Sequence, residues 1–351
     1  MTAPGRQPGI STIGSWEGDG VTVAQVDAAL SDLRLHQQRA AVRTSVLTLV
    51  AVVDDDAAAT AVLDTVYDLG GRHPSRTIVV VLGPDGDGDG GGAIDARASV
   101  NAVEREGRAV CFEDIVLRVR GRSRHHLGSV VEPFSLPDLP MVVWLPATLP
   151  APGDPLLGVA DRVVVDSRAV AGAASAGSYG RAGAANEAVL PRVQALARRL
   201  PVADLSWVRL ALWRSLLAGL FEGPVYRPFL REVDHIEVAG NYGPRHLLAG
   251  WLLRRLALSP ARVSLTPADH VSVTVSATHR HRSGVFRVAR PGHERLIETS
   301  VAIDGGPSVS QAVRMRSRWP ALALAGALTS MGRDDLYCEA LAGALELRGL
   351  A

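Results

Sequence analysis

The sequence predicts an α/β to α+β protein. Its N-terminal part is a mixed, largely parallel sheet with flanking helices, and its C-terminal part combines helices with an antiparallel meander. Three observations point there. A β-branched run from Arg43 to Val53 is followed by a helical stretch and a second apolar run, Thr77 to Leu82, the spacing of a right-handed βαβ unit. Further on, Val271, Val273 and Val275 alternate with Ser272, Thr274 and Ser276, the period of a half-buried antiparallel strand. At 351 residues the chain is long enough for two domains with cores of their own.

Taken in order, residues 1–20 read as a mobile arm, with Trp16 available to dock. Val21 to Ala41 reads as a helix because Val26, Leu30 and Leu33 recur at helical spacing. Arg43 to Val53 is the first buried strand. Asp54 to Asp56 offer caps for a helix from Ala57 to Leu69, which Gly70 and Gly71 close. Strands follow at Thr77 to Leu82, Asp95 to Ala102 and Val110 to Arg120. A short helix over Ser123 to Pro133, a strand at Met141 to Trp144 and a closing strand at Arg162 to Val165 complete a domain of residues 21–168. Residues 169–187 are almost all Ala, Gly and Ser and read as a linker or loop.

Residues 188–351 form the second expected domain. Leu190 to Leu200 is a helix, and Asp204 caps another that runs to about Leu220. Its Leu205, Val208, Leu212 and Leu216 mark one stripe; Trp213, Leu217 and Leu220 widen it, as in a buried helix. Arg231 to Val238 is a strand and His246 to Leu256 a helix. The meander follows, with its turn expected at Ser283-Gly284, then strands Val285 to Val288 and Leu296 to Ile303. Helices at Ala321 to Thr329 and Asp334 to Leu347 end the chain.

Composition excludes several functions. All 37 basic residues are Arg, so Schiff-base chemistry, a Walker A loop and a protein-kinase site, each of which needs Lys, are ruled out. A net charge of +1 gives no field that gathers nucleic acid or a membrane surface. The apolar stretch Ala321 to Leu328 is too short to span a bilayer, and residues 1–20 lack the pattern of a signal peptide. Two cysteines, Cys111 and Cys338, make no disulfide framework, which fits a reducing, cytoplasmic setting.

No catalytic constellation is complete. Gly86, Gly88 and Gly91 satisfy G-x-G-x-x-G, but a strand rather than a helix follows them, so no dinucleotide site is expected. Asp85, Asp87, Asp89 and Gly90 imitate the start of an EF-hand, whose twelfth position is here Ala96 instead of Glu. The pair His279 and His281 is interleaved with Arg280 and Arg282, which repel a cation; a solvated strand end is expected, and no metal site. No G-x-S-x-G elbow occurs. The densest basic segment holds Arg120, Arg122, Arg124, His125 and His126 at a loop-to-helix junction. It reads as an anion clamp for a sugar phosphate or as a solvated face.

Two segments mix apolar bulk with Trp and Arg. One is the strand that ends at Trp144-Leu145-Pro146. The other is Asp204-Leu-Ser-Trp207-Val-Arg209-Leu-Ala-Leu-Trp213-Arg214-Ser-Leu-Leu217. Trp207 and Arg214, seven apart, share a helical face, while Arg209 lies elsewhere around the helix. Trp144, Trp207, Arg209, Trp213 and Arg214 read either as core packing or as anchors of a protein–protein contact.

Both segments resemble the OpcA family of glucose-6-phosphate dehydrogenase assembly proteins. The strand Arg43-Thr-Ser-Val-Leu-Thr-Leu-Val50 and the segment Gly332-Arg333-Asp334…Tyr337 agree with it, in order, over residues 40–345. The chain departs from the family where Trp-Trp-Pro is replaced by Trp144-Leu145-Pro146, and in its Gly/Asp run at 85–92. The resemblance implies a non-catalytic partner of glucose-6-phosphate dehydrogenase that promotes its assembly or activates it allosterically, with no cofactor. Thiol-based control, known in cyanobacterial relatives, is not carried over, since Cys111 and Cys338 lack a paired spacing.

Overall fold

A computed structural model describes residues 10–35, 42–43, 45–69, 71–83, 94–105, 108–176, 186–292, 295–315 and 319–348. The Gly/Asp run at 84–92 lies outside them. The chain divides into two compact units, Met1–Val165 with Pro320–Met331, and Asp166–Trp319 with Gly332–Ala351.

In the first unit the elements run β1 (Ile10–Val21), α1 (Val23–Leu35), β2 (Val42–Arg43), β3 (Leu47–Val53), α2 (Asp56–Asp68), β4 (Ser75–Leu82), β5 (Ile94–Arg105), β6 (Arg108–Val119), α3 (Leu127–Val131), β7 (Met141–Leu145) and β8 (Arg162–Val165). The strand order is β1-β5-β6-β4-β3-β7-β8, with β2 beside β6. The pairs β6/β4, β4/β3, β3/β7 and β7/β8 are parallel, while β1 and β5 are added antiparallel. Every residue of β3, β7 and β8 is buried, which is why these strands read as largely apolar runs. Asp55 caps α2 by accepting from the Ala58 N–H (2.7 Å).

The expected arm is a strand over its described part. Gly14, Gly18 and Gly20 weaken the β signal of residues 10–21, and the pairing with β5 overrides it, with irregular register at Thr12/Gly14 and Gly18/Val21. The Thr12 hydroxyl donates to Asn101 Oδ1 (2.9 Å). Behind that pair, the Tyr67 hydroxyl and the Asn101 amide both donate to Oδ2 of the buried Asp114, each at 2.6 Å.

The second unit contains α4 (Ser167–Ala176), α5 (Val189–Ala197), β9 (Val202–Asp204), α6 (Leu205–Arg209), α7 (Ala211–Leu220), β10 (Val233–Gly240), α8 (Tyr242–Arg255), β11 (Val263–Pro267), β12 (Ser272–His279), β13 (Arg282–Ala289), β14 (Leu296–Ile303) and β15 (Val309–Arg314). Helices α9 (Trp319–Leu328) and α10 (Asp335–Glu346) follow, α9 falling within the first unit from Pro320 onward. Helix α4 occupies the first half of the expected linker, because Ala favours helix when nothing competes. Residues 177 to 185 of that linker lie outside the described residues.

The sheet of this unit has the order β11-β10-β12-β13-β14-β15 and is antiparallel apart from β10/β11. Val273, Val275, Phe286, Val288, Ile297 and Val301 are buried along one face, where Phe221 and Phe229 meet Phe286 with ring centroids 4.2 and 5.6 Å apart. The β12–β13 turn falls at Arg280-His281, not at Ser283-Gly284; both of its residues have positive φ, 49° and 64°. Helices α8 and α10 cross with backbones in contact at Gly250 and Gly343, where any Cβ would collide with the facing main chain.

Candidate functional site

The family-like segment lies in the second unit, on α6 and α7. The expected single helix is interrupted at Leu210, which ends α6 and caps α7. Asp204 starts α6 by accepting from the Ser206 N–H (2.8 Å), and it also accepts from the Ser167 N–H (3.2 Å). The Tyr337 hydroxyl lies 3.4 Å from its other oxygen. Burial, reinforced by the neighbouring Asp166 charge, raises the Asp204 carboxyl to about 6.

Asp166 is the centre of a second group. The Arg209 guanidinium grips both its oxygens, with Nη1 donating to Oδ1 at 3.0 Å and Nη2 donating to Oδ2. The Ser206 hydroxyl donates to Oδ1 (2.9 Å) and itself accepts from the Arg168 N–H (3.1 Å). Burial alone would lower the Arg209 pKa, but the bond and charge of Asp166 more than reverse it.

Trp207 and Arg214 brace α6 against α10. The Arg214 guanidinium carbon sits 3.5 Å over the Trp207 ring, while its Nη1 donates to the Trp207 carbonyl (2.8 Å). The Trp207 indole N–H donates to Asp334 (3.1 Å), and Asp334 caps α10 by accepting from the Tyr337 N–H (2.9 Å). Burial lowers the Arg214 pKa to about 10, with Asp334 working against it.

Beside this cluster is a cavity of about 680 Å³ whose walls include Asp166, Ser206, Arg209, Trp213, Tyr242 and Asp269. A second cavity, of about 690 Å³, lies at the start of α8. These cavities gather Asp166, Tyr242, Arg245 and His246, none of which the sequence reading singled out. The run Gly240-Asn241-Tyr242-Gly243-Pro244 carried the signal, since Asn is a cap and Pro is tolerated in a first turn. Among the described residues, no three His, Cys, Asp or Glu side chains gather as metal ligands. No helix of the described residues is long and apolar enough to cross a membrane.

The residues expected to carry contacts are placed differently from one another. Trp144, Trp207 and Trp213 are buried within the chain, with 5%, 3% and 7% exposure. They belong to β7, α6 and α7, elements buried by their own apolar neighbours. Arg209 and Arg214 stay half-buried. The basic segment lies on an exposed 3-10 turn, Gly121–His126, just after Arg120, and leads into an α3 of five residues. Arg120 is paired there with Asp95 (2.7 Å), while Arg122, His125 and His126 are exposed and Arg124 is half-buried. His279 closes β12 and contacts Glu232 (2.9 Å), and Cys111 is buried in β6.

Comparison with known proteins gives this geometry a family. The profile described as glucose-6-phosphate dehydrogenase subunit N-terminal domain matches residues 67–180, and that of the C-terminal domain matches residues 200–341. The chain is 28% identical over 204 residues to the putative OxPP cycle protein OpcA of Synechocystis sp., covering 56% of this chain and 40% of that protein. It is 27% identical over 212 residues to the OpcA of Nostoc punctiforme, covering 57% of this chain and 41% of the relative. A third OpcA, from Synechococcus elongatus, is 28% identical over 197 residues, 54% of this chain and 41% of the relative. The matched chain thus spans about two fifths of the length of these curated relatives. With both domain profiles matched in order over most of its length, the chain belongs to the OpcA family.

Proposed function

We infer that this chain is a non-catalytic assembly factor and activator of glucose-6-phosphate dehydrogenase, acting in the cytoplasm in support of the oxidative pentose phosphate pathway. The observation that carries the reading is the ordered match of two profiles, both described as domains of a glucose-6-phosphate dehydrogenase subunit. The use made of the family-like segment supports it. Asp204, Trp207, Arg209 and Arg214 are spent on caps, ion pairs and a cation–π contact that hold α6, α7 and α10 together. Such groups shape a binding body and leave no poised nucleophile.

An activator of this kind acts by binding the competent state of the enzyme more tightly than the incompetent one. A coupling of about 1–3 kcal/mol changes affinity roughly 5- to 150-fold. That requires a sizeable interface and no chemistry. Of the five residues expected at the interface, only Arg209 and Arg214 keep appreciable surface, so of the five these two are the ones available to a partner.

The test mixes the purified chain with its cognate dehydrogenase and measures native mass together with rate at subsaturating substrate. A new, heavier species and a raised rate are expected. Unchanged mass and an unchanged rate across a wide range of ratios would defeat the reading.

A further inference from the structure

The start of α8 is an unfinished electrostatic arrangement. β10 ends at Gly240, whose φ of 148° turns the chain directly into the helix. The cap residue Asn241 makes no side-chain bond to the first turn; its amide donates instead to the Asp269 carbonyl (3.1 Å). No acidic residue occupies that turn. The positive end of a helix of 14 residues therefore has no counter-charge within its own first turn.

Arg245, at the end of that turn, adds a second positive group. It is 8% exposed. Its Nη1 donates to the Gly240 carbonyl at 3.3 Å, and its Nε has no acceptor. Among the described residues no carboxylate pairs with it, and burial lowers its pKa against a small opposing effect of Tyr242. A buried guanidinium without an anion is among the costliest groups a protein can carry. Arg209, in the neighbouring cluster, has its carboxylate in Asp166.

Arg245 lines the cavity of about 690 Å³, together with Asn241, Tyr242, His246 and Arg348. The Tyr242 hydroxyl is buried there without a partner. The His246 ring bonds through Nδ1 to the Tyr242 carbonyl (2.7 Å), and burial lowers its pKa to about 4, so it stays neutral with Nε2 as an acceptor. Two exposed carboxylates, Glu187 and Asp269, stand at the edge.

We propose that this cavity binds a small phosphorylated metabolite, its phosphate held by the Arg245 guanidinium and the unpartnered Tyr242 hydroxyl at the start of α8. Phosphate has enough acceptor positions to take the guanidinium fork and a hydroxyl together. The edge carboxylates and Asn241 accept and donate bonds to hydroxyl groups. A phosphorylated polyol supplies those, whereas a dicarboxylate or a polyphosphate would be repelled at the edge.

The test uses the full chain and inorganic phosphate, against chloride at equal ionic strength. Phosphate well above its Kd raises Tm by roughly 2–4 °C and gives a saturable heat in calorimetry. Arg245→Met, which keeps the volume and removes the unpaired charge, abolishes the rise without lowering Tm in phosphate-free buffer. Arg245→Lys, which preserves the charge but not the fork, folds and binds phosphate roughly tenfold more weakly. Arg122→Ala leaves the rise intact. The proposal is overturned by the absence of any rise, by a rise that survives in Arg245→Met, by unaltered affinity in Arg245→Lys, or by loss of the rise in Arg122→Ala. None of these outcomes depends on the dehydrogenase.

Discussion

Asp114, a fully buried carboxyl, makes a pH-dependent contribution to stability. Burial raises its carboxyl from 3.8 to about 7, only partly opposed by the bond from Tyr67, and its Oδ1 has no partner. The folded protein therefore keeps a proton that the unfolded chain releases near pH 4. Stability tied to this group is fully present below that pH and is lost as the pH rises through about 7. Asp114→Asn accepts the same two bonds without the charge. Between pH 5 and 8 the variant should lose less stability than the wild-type chain, by up to a few kcal/mol (on the order of one to three). Melting curves at both pH values check this, and parallel profiles would refute it. Asp204, raised to about 6, declines over the same window, but it cancels when the two proteins are compared. At this scale the sequence was informative yet incomplete. Spacing placed Trp207 and Arg214 on one face, but no local pattern pairs that face with Asp334, which is remote in the chain.

Among the elements, the β12–β13 hairpin shows why composition misplaces a turn. Gly284 attracted the expectation because it is the nearest glycine, but it serves packing instead. A Cβ there would sit 2.9 Å from the Phe229 ring. The true turn places Arg280 and His281 at positive φ, which the twist of two-residue hairpins demands and neither residue favours. The double substitution Arg280→Asn with His281→Gly should stabilise the protein by about 1 kcal/mol and raise Tm by a few degrees, on the order of 2–4 °C. A lower Tm would show that the turn is held for contacts of its own. The central strands β3, β4 and β7 were legible because burial on both faces leaves a continuous apolar run. Strand β15, exposed over nearly its whole length, has no inward residues to create a pattern. Helix α8 was read four residues late because Gly243 and Pro244 mask its first turn.

For the whole molecule, the path of the chain matters more than its elements. It leaves the first unit after Val165, returns for Pro320–Met331 and leaves again. Ala321, Leu324, Ala327 and Leu328 of that returning stretch are buried, and His73 bonds to the Ala325 carbonyl. A fragment of residues 1–165 therefore lacks a piece of its own core. It should bind a hydrophobic dye several-fold more strongly than the full chain, roughly as expanded states do, and melt without a sharp transition. Dye binding equal to that of the full chain would show the fragment to be self-sufficient. No local property of residues 320–331 announces this return, since an Ala-rich apolar helix fits either unit equally well.

The contact between Gly250 and Gly343 bears on how the second unit can move. Where helices meet through long side chains, a shift of one is absorbed by changes of rotamer in the layer between. Here there is no such layer, since main chain rests on main chain. At that crossing a sideways shift of α8 meets the α10 main chain directly, so the two helices can slide there only together.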